Sequence, residues 1–451
     1  MRIQWYIAGL LLLIPACLRA QNPVLEEYIQ QGINSNQALK QRQLDYNQSL
    51  ARLKEARGLF FPDLGMQARY TIADGGRVIE FPVGDLLNPV YSTLNTLTGS
   101  NQFPSIENET FNFYRPREHE TKVTLVQPIF SSDILYNYKI SREQAEIARV
   151  DMEVYKRELV REIKTAYYTF QKSRELMKLS DTTLLLVKEN LRVSERLHEN
   201  DKVTIDEVYR SEAEVARVRA RQAEAKNMWE ASRSYFNFLL NRSLDSAIVL
   251  YPETPRSPVY VLEEVQEEAV ASRQELEQIR RYKTMNRQAV RLEQGDNLPE
   301  LFGTVDYGFQ GEEYSFTGED DFVLASLVLR WDLFHGLSNR HKVQQRKIEG
   351  DKLESALLEA EQKIRMQVLN SYYALAAAYE ELEAARKELQ SAKRAYDLIR
   401  KRYREGQASL LQLLDARTTL TDASTGRIIT RSEYFIALAD FENAMGKSFN
   451  R

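Results

Sequence analysis

The sequence predicts a mainly α chain with some β, built as a tandem repeat in which long coiled-coil hairpins follow pairs of strands. Three observations carry this. Large residues recur every seven positions at Leu375, Leu382, Leu389, Tyr396 and Tyr403, with Ala378, Ala385, Ala392 and Ile399 three residues after the first four. That is an a/d seam with one mostly large and one mostly small position, which lets two helix backbones approach closely. Second, sliding the sequence back by 205 residues puts Tyr372 and Tyr373 on Tyr167 and Tyr168. It also puts Leu375, Leu382, Leu389 and Tyr396 on Phe170, Met177, Leu184 and Leu191, and Ala378, Ala385 and Ala392 on Ser173, Ser180 and Val187. Third, four short segments alternate apolar and polar residues with a period of two, the mark of strands with one apolar face.

Taken in order, residues 1–20 read as a secretory signal, with Arg2, an apolar run from Ile7 to Ile14 and small residues up to Ala20. The run is too short to span a bilayer. Cys17, the only cysteine, lies inside it after Ile14-Pro15-Ala16, so lipid attachment at Cys17 is an alternative to cleavage after Ala20. Either route takes the protein out of the cytoplasm, with no disulfide in its stability.

The first repeat spans 21–243. Val24 to Arg57 reads as one helix. Leu64, Met66, Ala68, Tyr70 and Ile72 then alternate with Gly65, Gln67, Arg69 and Thr71, and a second strand covers Thr121 to Ile129. The residues between these strands are rich in Gly, Pro, Asn and Ser and show little pattern, as in a long functional loop. Asp133 to Asn200 reads as a single helix about 100 Å long at 1.5 Å per residue. A linker, 244–262, holds three of the twelve prolines.

The second repeat, 263–451, follows the same plan. Glu263 to Gln294 reads as a helix, Leu301 to Phe309 and Val323 to Trp331 as strands, and Trp331 to Met445 as a very long helix, a sharp turn at Gly406 and a helix coming back.

Function classes narrow quickly. A net charge of −4 with no basic face argues against nucleic-acid binding. His119, His198, His335 and His341 form no HExxH or triad-like pattern, and DGGR at 74–77 lacks the lysine and the strand-to-helix setting of a phosphate loop. No catalytic residue, metal ligand or cofactor site is expected. The strands have the length and dyad pattern of transmembrane β-strands, although a soluble sheet packed on one face would look similar. If they lie in lipid, four strands cannot close a barrel and open edges are forbidden, so two or more chains must combine. Spacing alone does not choose between eight strands from a dimer and twelve from a trimer. Two rivals are a secreted or periplasmic coiled-coil scaffold, which leaves the twice-repeated strand pairs unexplained, and a diffusion porin, which needs more strands per chain.

The element order, the repeat and the turn YREGQASLLQLLDARTTL (Tyr403 to Leu420) resemble the TolC-type outer-membrane efflux proteins, over nearly the whole chain after its leader. The resemblance implies a homotrimer with a twelve-stranded barrel in outer-membrane lipid of a Gram-negative cell, continued by a helical tunnel across the periplasm. It further implies a passive exit duct for an efflux or type I secretion system, docked to a periplasmic adaptor and an inner-membrane pump of RND or ABC type. In that family two acids about one turn apart on the last hairpin ring the periplasmic aperture. Asp415 matches the second and Gln412 stands in place of the first, which implies one carboxylate per chain. A latch of tyrosine, arginine and acid maps to Tyr403 and Glu207, with Ala408 in the arginine's place. Core packing for Tyr403 and solvation for Asp415 and Glu207 are the plainer readings. Outside the aperture, the Tyr167–Tyr168 and Tyr372–Tyr373 pairs are expected between helices, and the long loop between the first two strands outside the cell, over the barrel mouth.

Overall fold

A computed structural model describes residues 22–334, 336–405 and 407–446. Residues 1–21, which hold Cys17 and the expected signal, and the residues His335 and Gly406 lie outside the described residues. The chain divides into two compact units, one made from Met1–Ser49, Ala145–Lys283 and Asp351–Arg451, the other from Leu50–Gln144 and Thr284–Gly350.

The repeat is visible in the lengths of the elements. Helices α1 (Pro23–Ser35), α2 (Gln37–Gly58) and α4 (Ser132–Glu199), with α5 (Ile205–Leu239), belong to the first copy. Their counterparts are α6 (Leu262–Ser272), α7 (Gln274–Gly295), α8 (Ser338–Arg404) and α9 (Leu410–Ala444). Both α2 and α7 have 22 residues, both returning helices α5 and α9 have 35, and the long helices have 68 and 67. The returning helices begin 205 residues apart, the offset read from the sequence.

The heptad seam is the core of the helical unit. Leu375, Leu382, Ala378, Ala385, Ala392 and Tyr396 are buried, as are Phe170, Ser173, Leu184 and Val187 on the matching helix. Each large apolar side chain removed from water contributes roughly 1.5–3 kcal/mol, so the seam, not helix propensity, holds these rods together. Small hydroxyls close the tightest approaches: Ser173 bonds Ser232 at 2.6 Å and Ser194 bonds Ser211 at 3.1 Å. Tyr167 and Tyr168 are buried, whereas Tyr373 lies at the surface, 59% exposed. The Tyr167 hydroxyl accepts from the Tyr251 amide at 2.9 Å, the Tyr28 hydroxyl accepts from Val249, and the Tyr434 hydroxyl accepts from Arg256. These three tyrosines thus satisfy the extended backbone of the linker, which has no ladder of its own.

Several boundaries differ from expectation, each for a local reason. Val24 to Arg57 is two helices, broken at Asn36, whose carboxamide oxygen accepts from the Leu39 amide while its nitrogen donates to the Leu239 carbonyl. Glu263 to Gln294 is likewise broken, at Arg273. Helix α8 begins at Ser338, because the chain after Trp331 first turns through Leu337, at φ 66°. The stretch between the first two strands is not patternless. It holds β2 (Val78–Phe81), α3 (Val83–Thr98) and β3 (Glu109–Asn112), with β2 and β3 paired antiparallel.

The second unit is organised by a four-stranded antiparallel sheet of β1 (Asp63–Ile72), β4 (Arg117–Phe130), β5 (Glu300–Gly311) and β6 (Asp321–Arg330), in the order β1-β4-β5-β6. The central β4–β5 ladder joins the two repeats, and β1 and β6 are open edges. Register sorts the faces. Leu64, Met66, Tyr70 and Ile72 of β1 share a face with Val323, Leu327 and Leu329 of β6, all at least half exposed. The other face carries a charge ladder across three strands, Arg69–Glu120 at 3.0 Å, Glu120–Lys122 at 3.0 Å and Lys122–Asp306 at 3.7 Å. Among the described residues no helix is long and apolar enough to cross a membrane. An apolar outer face opposite a paired, charged one is the pattern of a barrel strand set.

The Arg273 break is a polar knot in the helical unit. Arg273 grips Glu275 with two bonds of 2.9 and 2.8 Å and donates to the Ala444 carbonyl, capping α9. Arg157 reaches the same carboxylate at 2.5 Å and Asn443 at 3.0 Å. Burial pulls the Glu275 carboxyl upward, but the hydrogen bonds and charges of Arg273 and Arg157 outweigh it and hold the group at about 2. A depressed folded-state value means the stabilisation is present above the unfolded value, near 4.5, and is lost as pH falls toward 2. On the order of 2–3 kcal/mol should therefore disappear across that window. Acid titration of the unfolding midpoint should show the drop in the native chain, and E275Q should flatten it.

Candidate functional site

The hairpin tips in the helical unit gather the residues singled out above. Helix α4 ends in a tight turn in which the Lys202 amide donates to the Leu197 carbonyl and Asp201 takes φ 50°. The His198 ring bonds the Val203 carbonyl at 3.1 Å, and Thr204 starts α5 with its hydroxyl on Asp206. At the second tip the Gln407 amide donates to the Arg402 carbonyl at 2.8 Å, and Ser409 opens α9.

Gln412, read as an aperture residue, has a structural task. Its side-chain oxygen accepts from the Ser409 amide at 3.0 Å while the Ser409 hydroxyl accepts from the Gln412 amide, a reciprocal capping box. Asp415, one turn on, is exposed, and among the described residues no hydrogen bond or ion pair holds its carboxylate. Tyr403 and Glu207 are brought near each other. Burial, and then the Glu207 charge, push the Tyr403 hydroxyl above its ordinary value. No hydrogen bond joins them among the described residues, so the pair is an electrostatic neighbourhood and not a closed latch. Ala408 adds no charge to it.

A different pair ties the two repeats together here. Arg417 of α9 and Glu214 of α5 meet at 2.6 Å, with side chains only 7% and 14% exposed. Glu214 also accepts Arg217 of its own helix at 3.0 Å, so one carboxylate serves two guanidinium groups. Among the described residues Arg417 Nη1 is buried without a partner. Sequence reading passed over this contact because the partners are far apart in the chain and follow no spacing rule. Its only trace is an arginine two positions after Asp415. Among the described residues no cluster of His, Cys, Asp and Glu fits a metal ion.

With that geometry in place, comparison with known proteins is decisive about class. The family model described as outer membrane efflux protein matches residues 28–242 and 265–447, one stretch for each repeat. The chain belongs to the outer membrane efflux protein family, whose members are outer-membrane channels and not enzymes. Among solved structures, the CmeC outer membrane channel of Campylobacter jejuni superposes with a TM-score of 0.78 at 16% identity, covering 94% of this chain and 85% of its own. The open-state MtrE outer membrane channel of Neisseria gonorrhoeae gives 0.76 at 16% identity over 95% and 90%. The outer membrane protein VceC of Vibrio cholerae gives 0.74 at 14% identity over 94% and 97%. At these identities the likeness concerns the fold. No curated protein matches the sequence.

The Arg417–Glu214 pair yields a prediction. Removing one member of a buried pair costs about 3–5 kcal/mol when the other is left uncompensated; here Arg217 softens the loss. R417M should raise amide hydrogen exchange in the first turns of α9 by tenfold or more, and the R417M/E214L double variant should exchange more slowly than R417M alone. Equal exchange in native and R417M chains would mean the pair does not hold the tip.

Proposed function

We propose that three copies of this chain form the exit duct of a tripartite efflux or type I secretion system. Their sheets close a twelve-stranded barrel in the outer membrane, and their helical hairpins line a tunnel through the periplasm. A periplasmic adaptor and an inner-membrane pump of RND or ABC type deliver the cargo, and the duct conducts it passively. One observation carries this reading above all: a sheet of four strands with an apolar outer face and two unpaired edges. In hydrocarbon every backbone N–H and C=O must be paired, so β1 and β6 must each find a strand from another copy. The charged opposite face of the sheet suits a water-filled lumen. A coiled-coil scaffold in solution would leave that apolar face and both edges without purpose.

At the periplasmic end, Asp415 of each copy faces the aperture as a ring of three carboxylates. Its exposure, and the lack of any holding partner among the described residues, support this role. Gln412 shapes the helix start behind it. Arg417, bound to Glu214, joins the two hairpins of one chain, where Tyr403 and Glu207 alone make no hydrogen-bonded link.

The internal repeat supplies the register of the joint between copies. Within the chain Leu125 of β4 faces Val305 of β5. Aligning Phe130 with Phe334 and Pro299 with Pro62 transfers that pairing to Leu329 and Ala68. Combining A68C with L329C in one chain should therefore give covalently closed trimers in oxidised outer membranes, with native mass spectrometry in mild detergent returning three chains. A soluble monomer or dimer, or the absence of chain-to-chain disulfides, would end the barrel reading. For the aperture, D415N should raise single-channel conductance or weaken block by divalent cations added on the periplasmic side. If both are unchanged in planar bilayers, there is no carboxylate ring.

A further inference from the structure

The excursion between β1 and β4 contains an unpartnered helix face, and its chemistry selects an occupant. The chain leaves β1 through Gly75 and Gly76, at φ 76° and 104°, conformations that glycine adopts without strain. The base is closed by the Ala73 amide donating to the Pro116 carbonyl. Helix α3 then uses one face for its own chain. Asn88 exchanges two bonds of 2.9 Å with the Ile106 backbone, and Asn95 does the same with Phe103 at 2.8 and 3.1 Å. Gly84 sits where a Cβ would fall 2.5 Å from the Ile106 carbonyl oxygen, so this face is filled.

The opposite face is largely exposed among the described residues. Leu86, Val90 and Leu97 are 66%, 51% and 77% exposed, and Leu87 and Leu94 flank them. With Thr93 they recur at spacings of four, three and four, the seam of a helix that packs on another helix. A membrane-surface helix needs basic side chains on its polar face to hold anionic headgroups. Between Val78 and Tyr114 there is no Lys or Arg at all, while Glu80, Asp85, Glu107 and Glu109 are acidic. The seam therefore fits a protein helix better than a lipid surface. The excursion is rooted on β1, the edge strand that the barrel reading pairs with a second copy, so the neighbouring copy's α3 is the helix at hand.

We propose that the α3 helices of adjacent copies pack through Leu86, Val90 and Leu97, forming an apolar constriction across the outer mouth of the duct. This rests on the trimeric barrel proposed above. The constriction is a second narrowing, independent of the aperture at the hairpin tips, and it is held by apolar contact without ion pairs. Cargo leaving the duct displaces it, and the glycine root accommodates the movement.

Single cysteines test this in full-length chain in native outer membranes, where Cys17 is the only cysteine of the natural sequence. V90C, and L97C as a second seam position, should form chain-to-chain disulfides on mild oxidation, whereas S92C, on the far side of α3, should not. Oxidised V90C should conduct at least twofold less than the reduced channel, with full recovery on reduction. If the A68C/L329C joint cross-links but V90C and L97C do not, the α3 contact is wrong and the barrel stands. Quenching of a fluorophore on the V90C thiol by a lipid-dissolved quencher would likewise overturn it and assign the face to the membrane. If neither the joint nor the seam cross-links, the barrel fails and the constriction with it.

Discussion

Everything in the strand unit depends on pairing the peptide groups of a sheet that has two loose ends. Inside the chain the problem is solved once, at the β4–β5 ladder, where the second strand of one repeat meets the first strand of the next. Lipid offers no substitute for a missing hydrogen bond, and each unpaired group costs several kcal/mol. In the trimer proposed above, the same junction would be made again between chains. The β4–β5 ladder is the intrachain counterpart of that proposed joint.

The helical unit solves a different problem, that of keeping rods of nearly seventy residues together without a thick core. Small residues let the backbones approach, and hydroxyl pairs such as Ser173–Ser232 satisfy polar groups where the approach is closest. Charged side chains do their structural work at breaks and ends. Arg273 interrupts one helix and caps another, and Arg157 and Glu275 complete a cluster in which burial is offset by paired hydrogen bonds.

Much of this was legible beforehand because periodicity reports burial directly. The seam from Leu375 to Tyr396, the offset between repeats and the four strands of the main sheet all follow from side chains that must share a face. The breaks at Asn36 and Arg273 were not legible, since a capping side chain looks like any polar residue until its partner, the Leu239 or Ala444 carbonyl, is brought to it by the fold. Helix α3 was hidden because its faces are sorted by asparagine bonds to the irregular backbone at Phe103 and Ile106, in a stretch whose composition reads as loop. At the tips, Asp415, Tyr403 and Glu207 could be named from a motif. The Arg417–Glu214 contact could not, because it joins two hairpins and exists only once both have folded.

The equal lengths of α5 and α9 have a consequence for the aperture. With the two returning helices in register, the position of Asp415 in the second repeat belongs to Arg210 in the first, where Asp206 lies 3.7 Å away. In the trimer proposed above, six returning helices of equal length would bring Asp415, unpaired among the described residues, and an Arg210–Asp206 ion pair alternately to that level. Such a pore would be six-fold in these helices and three-fold in its charge. Its net negative charge would then sit on the second-repeat helices alone, since each first-repeat guanidinium is already matched by Asp206.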